Sequence, residues 1–372
     1  MNVENIFHPF SDFDFEKHAL ALFQYQYEQN EVYHSFCNML KITPSNITSI
    51  AQIPFLPISF FKTHQVKTGN FEPEMTFWSS GTTGQKAEKQ KSRKAEKQKK
   101  EMRGKFPSNS LEGWTRSGRG GLSKGTLSSD EVSKHFIKDV SLYECAFLHS
   151  FTHFYGNPEN YCFLALLPNY LEQKHSSLIY MMNRLISDSK YSESGFYLYN
   201  FEVLFEKIIL LKEKKIKTIL FGVSFALLDF AAQCTFSAPD LIVFETGGMK
   251  GRHPEIVKEE LHQILCNAFG VKKIHSEYGM CELLSQAYSK GENRFATPPW
   301  MKLLLRDEKD PLHCSETLST GVINVIDFAN LHSCAFIATD DLGKRDEQGR
   351  IEILGRLDAA QVRGCNLLYG TG

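Results

Sequence analysis

The sequence predicts an α/β protein with a largely parallel sheet and a β-rich terminal subdomain. Three observations predict it. Short apolar runs at 161–167, 218–223 and 241–244 alternate with amphipathic stretches at 177–187, 203–215 and 254–269, the strand–helix alternation of a parallel sheet. Further on, runs at 321–328, 334–338 and 350–354 are joined by turn chemistry such as Asp346-Glu347-Gln348-Gly349, which suits a small antiparallel or barrel-like unit. Ahead of both lies a loop made only of hydroxyls and glycines, Ser79-Ser80-Gly81-Thr82-Thr83-Gly84, directly after the strand-like Met75-Thr76-Phe77-Trp78.

The elements follow in order. Between 15 and 40, Ala19, Leu22, Phe23, Tyr27 and Tyr33 recur at roughly helical spacing. Pro54, Pro57 and Phe60-Phe61 then mark an irregular segment leading to the loop. The stretch 254–269 carries Pro254 near its start, where a missing N–H is harmless to a helix. Residues 271–274 read as a strand that delivers His275-Ser276-Glu277-Tyr278-Gly279-Met280-Cys281-Glu282.

Composition sets bounds. An apolar share of 42% in 372 residues is ample for one large core with a smaller piece beside it. Nine cysteines, an odd number with no C-x-x-C pair, argue against a disulfide framework or a structural zinc site. The start Met1-Asn2-Val3-Glu4-Asn5 has no basic and apolar leader, and no apolar run is long enough to span a bilayer, so the expectation is a cytoplasmic protein.

The net charge of −1 hides a contrast: residues 86–132 hold 13 Lys/Arg against 6 Asp/Glu. In this segment Lys86-Ala87-Glu88-Lys89-Gln90-Lys91 recurs as Lys94-Ala95-Glu96-Lys97-Gln98-Lys99, and only 9 of its 47 residues are apolar. That is too few to bury a core, so the segment is expected to be a disordered insertion. A basic tract also raises nucleic-acid binding, which is set aside in favour of a solvated excursion.

Several positions carry candidate chemistry. Ser79, Ser80, Gly81, Thr82, Thr83 and Gly84 can cradle phosphate, since small residues let the backbone approach an anion while hydroxyls and N–H groups donate. No Lys-Ser/Thr follows in the register of the nucleotide P-loop, and read alone the run is also a flexible turn. Tyr278 and Gly279 can flank an adenine ring, and Glu282 can hold Mg²⁺. Asp341, in Thr339-Asp340-Asp341, suits ribose hydroxyls at a strand end. Each of these is, by itself, also an ordinary turn. Gly247 and Gly248, in Glu245-Thr246-Gly247-Gly248, follow a strand and can line a pocket.

Taken together, Ser79–Gly84, Tyr278-Gly279-x-x-Glu282, Thr339-Asp340-Asp341 and Gly355-Arg356-Leu357-Asp358 resemble the ordered motifs of the adenylate-forming superfamily, whose members activate carboxylic acids with ATP. The resemblance implies phosphate contacts from Thr82 and Thr83, adenine contact from Tyr278, Mg²⁺ at Glu282, ribose contact from Asp341 and nucleotide support from Arg356. Asp340 stands where that pattern has glycine. A further likeness, through Ile53-Pro54-Phe55-Leu56-Pro57-Ile58-Ser59-Phe60-Phe61-Lys62 and Arg363-Gly364-Cys365-Asn366-Leu367-Leu368, is to LuxE-type acyl-protein synthetases. It implies an ATP- and Mg²⁺-dependent ligase that activates a fatty acid and passes the acyl group to Cys365. The implied catalytic set is Cys365, Thr83 and Glu282, and the implied partner is an acyl-reductase or an acyl-donor protein.

The chain stops 14 residues after Asp358, so on this resemblance residues 1–338 form an adenylation core and 339–372 the ribose turn, the hinge and a truncated C-terminal segment. Lys62, Lys134 or Arg356 would then supply the positive charge of the missing lysine, and His149, His153 or His175 could gate an acyl tunnel. Two alternatives stay open: an acyl- or aryl-CoA ligase of the phenylacetate type, and a non-catalytic adenylate-binding protein.

Overall fold

A short hairpin frames the first structural question. Strands β2 (Met75–Trp78) and β3 (Lys134–Ile137) pair antiparallel with Trp78 opposite Lys134, so the chain between them leaves and returns at one end of the hairpin. The computed structural model describes residues 6–7, 11–79, 132–167, 175–247, 256–315 and 317–357. The chain divides into two units, 1–78 with 133–372, and 79–132, and only the first is described at length. Ser80, Gly81, Thr82, Thr83, Gly84, Gly248, Asp358 and Cys365 lie outside the described residues, as does the charged run 86–131.

The amino-terminal helical region is two helices, Asp12–Gln29 and Glu31–Met39. Asn30 separates them and serves both: its N–H donates to Gln26 O at 2.9 Å, and its Oδ1 accepts from Tyr33 N at 3.0 Å. Asn is suited to this because its short side chain satisfies a helix start while its backbone ends the preceding helix. A two-residue strand, β1 (Leu56–Pro57), follows in the proline-marked segment.

The remaining strands are β4 (Cys162–Leu166), β5 (Gly195–Phe196), β6 (Thr218–Val223), β7 (Ile242–Thr246), β8 (His275–Tyr278), β9 (Ala287–Ser289), β10 (Arg294–Ala296), β11 (Met301–Arg306), β12 (Thr320–Asp327), β13 (Phe336–Arg345) and β14 (Ile351–Arg356). They form one sheet in the order β11-β12-β13-β14-β10-β9-β8-β7-β6-β4-β5, and β1 adds to β13. The fold is mixed α/β with a large sheet, as the alternation of runs predicts.

The sheet has two halves. From β5 to β8 every pair is parallel; from β8 to β11 every pair is antiparallel. Strands β4 and β6 are buried along their whole length, the continuous apolar pattern of strands covered on both faces. Their cover includes the helices Val140–Tyr155, Ser177–Asp188, Phe201–Glu213 and Ser224–Gln233. The terminal β-rich run is antiparallel, and β14 joins it to β10 of the same sheet.

Two expected boundaries move. The helix expected over 254–269 is helical over Lys258–Phe269, with Pro254 outside the described residues. The strand expected at 271–274 begins at His275 instead. Gly270 explains the delay: it ends the helix at φ +63, and a Cβ there would lie 2.6 Å from Ser237 Cα. Such a left-handed cap turns the chain, and the next residues are used in reversing direction.

Candidate functional site

The sheet changes from parallel to antiparallel pairing at β8, and Tyr278 stands at the carboxyl end of that strand. In open α/β sheets, ligands bind beyond the carboxyl ends of the parallel strands. The Tyr278 hydroxyl donates to Asp341 Oδ2 at 2.8 Å, across the gap between β8 and β13. Asp341 pairs in register with Arg356 on β14, and Arg356 Nε lies 3.6 Å from Asp341 Oδ1. Three residues singled out from separate motifs therefore converge.

A bulge aims Asp341. In the β12–β13 ladder Val322 pairs with Leu342 and Asn324 with Ala338, so Thr339, Asp340 and Asp341 oppose Ile323 alone. Surplus residues of this kind bend a strand and redirect its side chains. Arg306 fills the distortion: Nη1 donates to Ile323 O at 3.0 Å and Asn324 Oδ1 at 2.7 Å, and Nη2 donates to Thr339 O at 2.6 Å. Burial holds this guanidinium below its ordinary value, with Asp340 acting the other way. The Asp341 N–H in turn donates to Thr339 Oγ1 at 3.2 Å. Burial pushes the Asp341 carboxyl up, while the Tyr278 hydrogen bond and Arg356 pull it down.

Glu282 supplies a second acid on the same side. It is only 4% exposed, and burial raises its carboxyl above the usual range. The Ser133 hydroxyl, Arg356 and Lys62 partly offset that cost. A desolvated carboxylate facing cations has the character of a divalent-ion ligand. Among the described residues no group of three or more His, Cys, Asp or Glu could hold a metal ion. A Mg²⁺ here would rest on one carboxylate, water and substrate phosphates, the usual arrangement for this ion.

Gly279 and Gly247 have different reasons to be glycine. A Cβ on Gly279 would sit 2.2 Å from Glu277 Oε1, so the Tyr278–Gly279 turn lies directly on that carboxyl. Gly247 has φ +71, a left-handed conformation, and its carbonyl accepts from Ser224 Oγ at 3.0 Å. Burial pushes Glu277 up to about 7, helped by nearby Glu245, although Thr246 Oγ1 donates to its Oε2 at 2.6 Å. For Glu245 burial acts upward too, but Lys258 at 2.8 Å and His262 at 3.6 Å outweigh it and hold the group near 2.

Of the three candidate cations, Lys62 and Arg356 act on Glu282, whereas Lys134 reaches over the Trp78 ring, 6.0 Å from its centroid. His149 stacks on Phe7 at 4.9 Å, His153 meets Phe154 edge-on at 4.8 Å, and His175 stacks on Trp78 at 4.4 Å. Ser79 directly follows β2 and is the one member of the hydroxyl loop among the described residues. Sequence reasoning missed Arg306, Ser133 and Glu277. Only Glu277 carried a signal, its place beside Tyr278.

Comparison with known proteins adds the following. The sequence profile of LuxE, the acyl-protein synthetase family, matches residues 12–107. A long-chain-fatty-acid–luciferin-component ligase of Photorhabdus luminescens is 38% identical over 74 residues, 20% of this chain and 63% of that protein. The chain thus spans somewhat less than two thirds of that relative. Among solved structures, apo MatB from Rhodopseudomonas palustris is 16% identical with a TM-score of 0.43, over 65% of this chain and 47% of that one. Coronafacic acid ligase from Pectobacterium brasiliense is 17% identical with a TM-score of 0.38, over 54% and 40%. No helix among the described residues is long and apolar enough to cross a membrane. The likeness to the LuxE acyl-protein synthetase family therefore lies in residues 12–107.

Proposed function

We propose that this protein uses ATP to activate a fatty or other carboxylic acid as its acyl adenylate, and then passes the acyl group to a thiol. The observation that carries this reading is the convergence of Tyr278, Asp341, Arg356 and buried Glu282 at the carboxyl end of β8. A carboxylate resists acyl transfer because its leaving group would be oxide. Attack of a carboxylate oxygen on the α-phosphorus forms a new P–O bond and breaks the bond to pyrophosphate, leaving AMP as the leaving group on the acyl carbon. A thiolate then forms the C–S bond as AMP departs with the C–O electron pair.

The residues divide this work. Asp341 accepts from the ribose hydroxyls, its position set by the bulge and its charge shared with Arg356. Tyr278, tethered to Asp341, presents a ring face to adenine, and Gly279 leaves room beside it. Thr82, Thr83 and their neighbours in Ser79–Gly84 receive the phosphates, as the motif implies, and Gly247 and Gly248 form part of the pocket wall. Glu282 would hold Mg²⁺, which when bound would neutralise charge on the departing pyrophosphate. Cys365 is the proposed acyl acceptor, and an acyl-reductase is the partner such an acyl-enzyme would serve.

The test is carboxylate-dependent ATP–pyrophosphate exchange across acids of increasing chain length, followed by mass spectrometry of the protein. Exchange with a fatty acid and a hydroxylamine-labile acyl mass on the protein, lost in Cys365→Ser, are expected. Acyl transfer to coenzyme A alone would replace the protein thiol as acceptor, and absence of exchange with any acid would overturn the activity.

A further inference from the structure

Residues 280–285 lack regular secondary structure, yet Cys281 to Ser285 are all buried. Buried backbone groups without a ladder partner must be satisfied by side chains. Leu283 N bonds to Met280 O at 3.2 Å within the turn, and Asp327 Oδ2 accepts from Ser285 N at 2.9 Å. Gln286 Nε2 donates to Leu284 O at 3.1 Å, and the side-chain contacts to the two carbonyls that flank the Glu282 Cα come from two further buried residues.

Asn330, fully buried, donates from Nδ2 to Glu282 O at 2.8 Å and to Cys334 O at 3.0 Å, and its Oδ1 accepts from Leu284 N at 3.1 Å. His135, 1% exposed, places Nδ1 2.9 Å from Cys281 O and Nε2 2.8 Å from Ser333 Oγ. A carbonyl only accepts, so Nδ1 carries the proton and Nε2 accepts from the Ser333 hydroxyl.

The two carbonyls so held, Cys281 O and Glu282 O, belong to the peptide planes immediately before and after the Glu282 Cα. Because each peptide is planar, fixing both planes fixes the φ and ψ of Glu282. We propose that Asn330 and His135 are positioning residues that set the direction of the Glu282 carboxylate, the group that would hold Mg²⁺. This rests on the reading of Glu282 given under Proposed function.

Residues 330–335 are held from behind by Gln26, whose Nε2 donates to Asn330 O at 3.0 Å and Leu331 O at 3.2 Å, and whose Oε1 accepts from Ala335 N at 2.9 Å. Gln26 bonds to no group of the 280–285 turn, so it separates a general packing role from positioning.

The experiment compares Asn330→Asp, His135→Leu, His135→Gln and Gln26→Ala for thermal stability, for amide hydrogen exchange at 281–285 in ligand-free protein, and for the Mg²⁺ concentration giving half-maximal pyrophosphate exchange. Asn330→Asp keeps the acceptor for Leu284 but loses the donor to Glu282 O; His135→Leu loses the donor to Cys281 O; His135→Gln keeps a donor. Tenfold or greater increases in the Mg²⁺ requirement are expected for Asn330→Asp and His135→Leu, the scale of losses on removing groups that orient a metal ligand. Their rates at saturating Mg²⁺ should stay within about threefold of wild type, their amide exchange at 281–285 should rise, and His135→Gln should restore most of the difference.

Gln26→Ala should lower stability without changing the Mg²⁺ requirement. Folded variants with wild-type Mg²⁺ dependence and wild-type amide exchange would overturn the proposal, as would a Gln26→Ala shift as large as theirs. Should Asn330→Asp not fold, the two His135 variants decide. Should the wild type exchange pyrophosphate with no acid, the functional reading fails, and Mn²⁺ binding in the presence of ATP together with the amide exchange judges the positioning.

Discussion

Glu245 and Glu282 are buried glutamates in neighbouring regions, and they differ in how they are served. Glu245 accepts from Ser224 Oγ at 3.0 Å and Ser276 Oγ at 2.9 Å, with the Lys258 ammonium 2.8 Å away. Its charge is paired within the fold, and the group is held near 2. Glu282 has the Ser133 hydroxyl and the more diffuse influence of Arg356 and Lys62, and burial still wins, raising its carboxyl. Burial and charge alone therefore do not separate a structural acid from a binding one. The proposed role of Glu282 rests on that difference: Glu245 is paired within the fold, whereas a bound cation would offset the cost of burying Glu282.

The comparison can be tested from both sides. Replacing Lys258 by Met leaves Glu245 buried beside one histidine and should destabilise the protein by roughly 3 kcal/mol in urea unfolding, reduced from the fully buried case because the ammonium keeps some water. Glu277→Gln acts through protonation. Its folded value of about 7 lies above the ordinary carboxylate value, so its contribution is fully present below about pH 4.5 and is lost as pH rises through 7. The variant should therefore gain on wild type between pH 5 and 8, by roughly 2–3 kcal/mol, in unfolding followed at each pH.

Glu282→Gln should cut pyrophosphate exchange about a hundredfold, near 2.7 kcal/mol, while stability holds or rises, because a neutral amide costs less to bury. A marked loss of stability would place Glu282 with Glu245 as a structural acid. Tyr278→Phe removes one hydrogen bond to Asp341 and should raise the KM for ATP roughly fivefold with little change in kcat.

How much of this was legible in the chain depends on the range of the contacts. The alternation that predicts a parallel sheet is a local pattern, and β4, β6 and β7 fall on the runs that announced them. Tyr278, Glu282, Asp341 and Arg356 could be singled out because each sits in a short string whose chemistry is self-contained, and Tyr278, Asp341 and Arg356 do lie together. Arg306, His135 and Asn330 were not. Their roles exist only through partners such as Thr339 O, Cys281 O and Glu282 O, and nothing beside them in sequence announces those partners. The start of β8 was misplaced because Val271 and Ile274 are buried, as strand residues would be, while the chain is still turning after Gly270.

The junction between β1 and β13 also bears on the order of synthesis. Leu56 and Pro57 pair parallel with Ile337 and Ala338, and Gln26 reaches a carbonyl 304 residues further along the chain. Residues 26, 56 and 57 therefore leave the ribosome long before their partners at 330–338, and the surface those partners cover waits meanwhile. Contacts so distant in sequence must close a long loop before they return any stability, which slows folding and exposes the nascent chain to aggregation. With such contacts spread between residues 26–57 and 330–338, expression should depend on chaperone supply more than on the stability of the finished fold.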